Sequence, residues 1–163
     1  MTFIANIRMA HIGRFLSESA VFVALAAATL CISPTDAAAD ELISLEELLK
    51  QNQSEPSYPF VRCAAWYKST AEHAGVVTLP KATVANAQKA IQLNALAAAK
   101  IRAAKRGGRP KDYVDQVTAD IVAIAAIYEA RMKKNYNLSG QALVSDQLMA
   151  GDGKVCKALS EDL

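Results

Sequence analysis

The chain has 163 residues, of which 18 are Lys or Arg and 16 are Asp or Glu, giving a formal net charge of +2. This length allows one domain and little more. The near balance of charge does not indicate a polyanionic partner, and we predict no contact with nucleic acid. The rare residues are three cysteines and one tryptophan, and their positions carry most of the information about compartment and site.

The first 39 residues have the pattern of a secretory signal peptide. Arg8 and Arg14 supply a basic start, a thirteen-residue apolar run follows at 20–32, and three alanines end at Ala39. A basic region, a short apolar region and a small-residue cleavage site define such a signal. The apolar run is short for a membrane-spanning helix, which needs about 20 residues. We therefore predict cleavage after Ala39 and export to the periplasm or the extracellular space.

Removal of the signal peptide leaves 40–163 as a single predicted domain without a membrane-spanning segment. Its net charge remains +2, and its two cysteines are Cys63 and Cys156. An uncleaved anchor and a lipoprotein cut before Cys31 are the alternatives. The lipoprotein is disfavoured because Leu30, rather than a small residue, precedes that cysteine.

Two helices are predicted at the start of this domain. Ser44 and Glu47 match a capping box, which predicts a short helix over 44–52. A second helix is predicted from Pro59 to Gly75, because proline suits the first helical position and glycine the residue after the last. The apolar residues of the second helix recur at helical spacing: Phe60, Cys63, Ala64, Tyr67, Ala71 and Ala74.

Two long helices are predicted next, at 80–106 and from 111 to about 136. Neither range contains an internal glycine or proline, and both have apolar residues at helical spacing. The sequence GGRP between them ends one helix and starts the other, so that an antiparallel hairpin is expected. Alanines are frequent on both helices, and we expect them to face each other and let the two backbones approach closely.

The end of the chain is predicted as a helix over 141–149, a turn at the Gly-Asp-Gly of 151–153, and a last helical turn over 154–159. No stretch alternates like a β-strand, and no internal repeat is visible. The predicted fold is therefore all-α: a small helical bundle with one long antiparallel hairpin and one disulfide.

The disulfide is predicted between Cys63 and Cys156, because two cysteines in an exported chain most simply pair with each other. The alternative is a pair that cycles between oxidation states. The wide separation of the cysteines and the lack of a C-x-x-C motif favour a structural bridge.

Trp66 and Tyr67 follow Cys63 by three and four residues on the predicted second helix. One interpretation places both rings over the disulfide in the core. The other makes them a candidate groove for a ligand or a partner helix, with Trp66 about 100° around the helix from Tyr67. The presence of a pocket beside Trp66 is the observation that distinguishes them.

Six cations fall within twelve residues at the tip of the predicted hairpin. They form a candidate contact for an anionic partner, such as lipid headgroups or an acidic protein. The alternative is a solvated helix end, which cations stabilise through the helix dipole. The six residues are Lys100, Arg102, Lys105, Arg106, Arg109 and Lys111.

His73 is the one histidine outside the signal peptide, and Glu72 precedes it. A zinc site draws on several His or Cys ligands, so we predict no metal. No C-x-x-C-H haem motif and no Gly-rich phosphate loop is present, so we predict no cofactor. Catalysis by His73 with Glu72 ranks third among the functions considered, and no residue is assigned a catalytic role.

These observations predict a non-enzymatic binding or interaction protein of the cell envelope, whose partner is an unknown protein or envelope component. The alternative is a small-ligand carrier with an apolar cavity between helices. Both depend on an exported, disulfide-linked helical scaffold.

Overall fold

A computed structural model describes residues 42–52, 54–74, 80–143 and 146–163. The predicted signal peptide and its cleavage site lie outside these residues. The described part contains no strand, and the all-α prediction is confirmed. A short 3₁₀ helix at Pro110–Tyr113 connects the third and fourth helices. The α-helices of the described part are α1 (Leu45–Gln51), α2 (Tyr58–Ala74), α3 (Lys81–Arg106), α4 (Val114–Ser139) and α5 (Gln147–Glu161).

Helix α1 begins and ends where its local sequence predicts. The Ser44 hydroxyl accepts a hydrogen bond from the Glu47 backbone N–H at 3.2 Å, as an N-cap residue does. Asn52 ends the helix in the left-handed conformation with φ 49°. Leu45 is fully buried and packs against the far end of the chain, so this short helix is held by tertiary contacts.

Helix α2 is the centre of the bundle, and it packs against α3, α4 and α5. Five consecutive residues of α2, from Val61 to Ala65, are buried. Because successive helical side chains point about 100° apart, a run of five buried residues means that this stretch of the helix is enclosed on all sides.

The two long helices form the predicted hairpin, but they do not form the alanine-to-alanine interface that we expected. Both pack more extensively against α2 than against each other. Ala98 and Ala125 are buried in the core around α2, whereas Ala119, Ala123 and Ala126 of α4 are exposed.

The C-terminal prediction is wrong, because α5 is one continuous helix through Gly151 and Gly153 rather than two segments joined by a turn. Residues 141–143 precede it as a non-helical bend. The Asp146 carboxylate caps α5 by accepting from the Met149 N–H at 3.1 Å. Glycine costs a helix about 1 kcal/mol. That cost is outweighed by contacts of the same helix with α2, including the approach of Gly153 to a tryptophan ring.

Replacement of Gly153 by alanine is expected to destabilise the protein by about 1–3 kcal/mol, although alanine favours helices. A Cβ atom at this position would lie 2.7 Å from Cζ2 of Trp66, too close for ordinary contact. Gly151→Ala is the matched control, because its Cβ would meet no atom within 4 Å. That control should stabilise the helix by up to about 1 kcal/mol. Urea denaturation measures both, and equal stability of the two variants would contradict the packing described.

Candidate functional site

The predicted disulfide is present: Cys63 of α2 and Cys156 of α5 are bonded, with their Cα atoms 5.1 Å apart. Both cysteines are fully buried. A thiol–disulfide exchange partner has to reach a sulfur atom, so this burial favours the structural role that the sequence indicated.

A fully buried ion pair lies beside the disulfide, and the sequence analysis did not find it. Arg62 precedes Cys63 on α2, and its Nη2 donates to Asp152 Oδ2 on α5 at 2.6 Å and to the Ile43 carbonyl oxygen at 2.6 Å. Its Nε lies 2.9 Å from Tyr128 Oη on α4 and 3.0 Å from Asp152 Oδ2. Asp152 Oδ1 accepts from the Leu45 N–H at 2.6 Å. This buried network therefore connects α2, α4, α5 and the start of α1.

The protonation of the network follows from its burial. Burial, together with the Asp152 carboxylate, raises the pKa of the Tyr128 phenol, which therefore stays protonated and donates to Asp152 Oδ2 at 2.5 Å. Burial alone would lower the pKa of Arg62, but Tyr128 and Asp152 raise it above its usual value. The network thus holds one positive and one negative charge. All three side chains are inaccessible to a substrate, which indicates a structural role.

Glu72 and His73 contact different partners in the structure. Glu72 is paired with Lys68, which lowers the pKa of Glu72, and it also interacts with Glu129. Burial, followed by the hydrogen bond with Glu72, raises the pKa of Glu129. The His73 ring lies edge-on to Tyr136 with centroids 6.4 Å apart. In the described part of the chain, no cluster of three or more His, Cys, Asp or Glu residues could hold a metal ion.

The six cations of the hairpin tip differ in exposure. Arg102 is buried, and its Nη2 donates to Asp120 Oδ2 at 2.7 Å. Arg106 pairs with Glu55 at 3.0 Å, and Arg109 with Asp112 at 3.3 Å. The other three, Lys100, Lys105 and Lys111, are exposed and make no ion pair with any residue that the structure describes. The tip is therefore less positive than the sequence suggests, and Arg102 does not face solvent with the others.

An open groove lies between α2 and α3 beside Trp66. A pocket at this position is the observation that was expected to distinguish the two interpretations of Trp66 and Tyr67. Its volume is about 490 Å³. The lining residues are uncharged: Trp66, Tyr67, Thr70 and Ala71 from α2, Thr83, Val84, Asn86, Ala87 and Ala90 from α3, and Leu143 from the bend before α5. We refer to this feature as the α2–α3 groove.

The wall of the groove is held in place by contacts on its inner side. Trp66 Nε1 donates to the Met149 carbonyl oxygen at 3.1 Å, and Gly153 lies against the indole ring. The Tyr67 ring meets the indole edge-on, with centroids 5.2 Å apart and an interplanar angle of 86°. Because the one polar atom of the indole is already bonded to α5, the surface that Trp66 offers to the groove is carbon.

Both interpretations of Trp66 and Tyr67 describe part of what the structure shows. The two rings pack against the buried Cys63–Cys156 bridge on one side and line the groove on the other. The opposite wall was not predicted from the sequence, because α3 contributes small residues there. The available signal was their helical spacing, with Thr83, Ala87 and Ala90 at i, i+4 and i+7.

The fold and the groove define a disulfide-linked, all-α protein with a central helix that is fully buried over residues 61–65 and a surface groove lined by uncharged residues. The described helices lack the combination of length and apolar character that a bilayer crossing requires. No protein-family model, curated protein or solved structure matches the chain.

Proposed function

We propose that this protein is an exported, non-enzymatic binding protein whose α2–α3 groove holds an uncharged, largely apolar ligand. The observation that carries this proposal is the groove itself, with Trp66 and Tyr67 as aromatic walls and only uncharged residues among the described part of its lining. The ligand would be a small molecule of the compartment or the apolar part of an envelope component.

The size and lining of the groove support a small ligand. Ligand sites typically measure about 300–1,000 Å³ and are mostly apolar with a few polar groups, and the groove falls within this range. Few polar groups of the groove are available to a ligand. The Thr70 hydroxyl already donates to the Trp66 carbonyl oxygen at 2.8 Å. Thr83 and Asn86 are exposed at the edge and are free to bind a polar end of the ligand. A charged group inside the groove would lose hydration without gaining a partner, so it is disfavoured.

The chemistry of the remaining residues supports binding rather than catalysis. Three buried ionisable side chains, those of Arg62, Tyr128 and Asp152, are bonded to one another in the core. They lie on the inner side of the bundle and are closed to solvent, whereas the groove opens at the surface. Among the lining residues that the structure describes, none is a His, Cys, Asp, Glu or Lys that would act as an acid or a base.

Export is part of the same proposal. Disulfides persist in oxidising compartments such as the periplasm, and the Cys63–Cys156 bridge lies in the core of the fold. The basic and apolar pattern of the first 39 residues supports delivery to such a compartment.

Trp66 provides the test, because it is the one tryptophan of the chain and forms the wall of the groove. The probe is N-phenyl-1-naphthylamine, an uncharged aromatic dye that fluoresces in apolar surroundings. Titration of the oxidised protein should give saturable binding with energy transfer from Trp66 to the dye. Ala87→Phe, which places a ring in the groove, should weaken binding by about tenfold or more.

Ala104→Phe is the matched control, because Ala104 is an exposed alanine of the same helix that does not line the groove. Its affinity for the dye should stay within about twofold of the unmodified protein. Circular dichroism verifies that both variants remain folded. Absence of saturable binding, or equal affinity of the two variants, would show that the groove is not the ligand site.

A further inference from the structure

The exposed polar residues of the α2–α3 groove lie together at its rim, in the first two turns of α3. Thr83 and Asn86 are exposed there, whereas Val84, Ala87 and Ala90 of the same helix are half-buried. Four of these residues, Thr83, Asn86, Ala87 and Ala90, follow the spacing i, i+3, i+4 and i+7, so they share one face of the helix. The groove therefore has a polar rim at the start of α3 and an apolar course that continues along the helix.

The two rim residues have no partner in the free protein. Neither the Thr83 hydroxyl nor the Asn86 amide makes a side-chain hydrogen bond with any residue that the structure describes. Each is uncharged and carries both a donor and an acceptor. They therefore complement a neutral hydroxyl group, which also donates and accepts. A carboxylate at the same place would find only uncharged residues in the described lining and would lose hydration without gaining a counter-ion.

The length of the groove along α3 limits the size of the apolar part. Thr83 and Ala90 are seven residues apart. At a rise of about 1.5 Å per residue, this separation corresponds to about 10 Å. An extended alkyl chain of about eight carbons has a similar length, because C–C bonds measure about 1.5 Å. The side chains of Ala87 and Ala90 are small, so they leave room for such a chain against the carbon surface of Trp66.

We propose that the groove selects an uncharged single-chain amphiphile, an alkyl chain of about eight carbons that ends in a hydroxyl group. The hydroxyl lies between Thr83 and Asn86, and the chain follows Ala87 and Ala90 beside Trp66. This inference rests on the proposed function of the groove, and it adds the class of the ligand, its orientation and its length.

The first test is an NMR titration of the full, oxidised protein with straight-chain primary alcohols. Affinity should rise by about threefold for each methylene from 1-butanol to 1-octanol, because each one is buried against the apolar course. The two further methylenes of 1-decanol should add less than about threefold in total, because they extend beyond Ala90. In the complex with 1-octanol, nuclear Overhauser effects should connect the carbinol protons with the Thr83 methyl group and the terminal methyl with Ala90.

Replacement of the rim residues tests their role in recognition. Thr83→Val keeps the shape of the side chain and removes its hydroxyl, so it should weaken 1-octanol binding by about threefold or more. Asn86→Leu should have an effect of similar size. Both residues are exposed, so the fold should tolerate the changes. Toluene, which has no polar end, should bind both variants within about twofold of its affinity for the unmodified protein. Thr118→Val is the matched control, because Thr118 is exposed on α4 and does not line the groove.

Sodium octanoate and N-phenyl-1-naphthylamine separate the possible outcomes. Octanoate should bind at least about tenfold more weakly than 1-octanol. Equal affinity for octanoate, no dependence on chain length, the reversed orientation, or no effect of Thr83→Val would each overturn the inference. If the dye binds in the groove and 1-octanol does not, the inference fails and the proposed function stands. If neither binds, both fail.

Discussion

Replacement of Asp152 by alanine is expected to lower the free energy of unfolding by about 3–5 kcal/mol. Asp152 is fully buried, and its Oδ2 accepts from Arg62 Nη2 at 2.6 Å and from Tyr128 Oη at 2.5 Å. Its removal leaves the Arg62 charge buried without a counter-ion and the Leu45 N–H without its acceptor. Urea denaturation followed by circular dichroism measures the loss.

The control for this prediction is an ion pair on the surface. Glu46 and Lys50 lie 2.8 Å apart on α1, but their side chains are 62% and 65% exposed. Glu46→Ala should leave the midpoint of denaturation unchanged, because exposed pairs contribute little to stability. If Asp152→Ala shifted the midpoint no more than Glu46→Ala, the buried network would not have the structural role assigned to it.

Removal of the disulfide by the double substitution Cys63→Ala/Cys156→Ala is expected to cost about 4–5 kcal/mol in the chain-entropy model. The bridge joins residues 93 apart in the sequence, so it restricts most of the unfolded chain. Domains of this kind are stable by about 5–15 kcal/mol in total, so the variant should be marginally folded near 37 °C.

Thermal and urea denaturation of the oxidised protein, the reduced protein and the double variant test this prediction together. The reduced protein and the double variant should unfold at similar, lower midpoints, and a reductant should have no effect on the double variant. A loss below about 1 kcal/mol would mean that the bridge contributes no more than an average hydrogen bond.

Three contacts connect α2 with α5: the Arg62–Asp152 ion pair, the Cys63–Cys156 disulfide and the hydrogen bond of Trp66. Arg62 and Cys63 are adjacent on α2, and their partners Asp152 and Cys156 are one turn apart on α5. One turn further along α2, Trp66 is bonded to the Met149 carbonyl oxygen of α5. The contact between α2 and α5 therefore holds the Trp66 wall of the α2–α3 groove in place. The stability effects of substitutions at the residues that form this contact should be non-additive.

The first four helices were predictable because their ends are marked by local sequence signals. The disulfide was predictable by elimination of the third cysteine. Capping residues and breaks mark the helix ends, and Cys156 was the one partner left for Cys63 once the signal peptide was set aside. The course of α5 was not predictable in this way. Gly151 and Gly153 favour a turn locally, and the helix there depends on tertiary contacts distant in sequence, such as that of Gly153 with Trp66.

The buried polar residues were not predictable because their partners are distant in sequence. Arg62 and Asp152 are separated by 90 positions, and each alone resembles an ordinary surface residue. Arg102 was grouped with the cations of the hairpin tip because six Lys and Arg residues fall within residues 100–111. In the structure, Ser57 and Asp120 bind its guanidinium in the core. A groove at Trp66 was considered because this is the one tryptophan of the chain. The α3 wall of the groove was not predicted, because alanines occur both in cores and in grooves.

The central claim, that the α2–α3 groove binds an uncharged apolar ligand, is tested most directly by intermolecular nuclear Overhauser effects between N-phenyl-1-naphthylamine and the oxidised protein. The dye protons should show contacts with the Trp66 indole and with the methyl groups of Ala71, Ala87 and Ala90, which line the groove. Contacts confined to exposed apolar residues elsewhere, such as Leu138 at the end of α4, would contradict the claim.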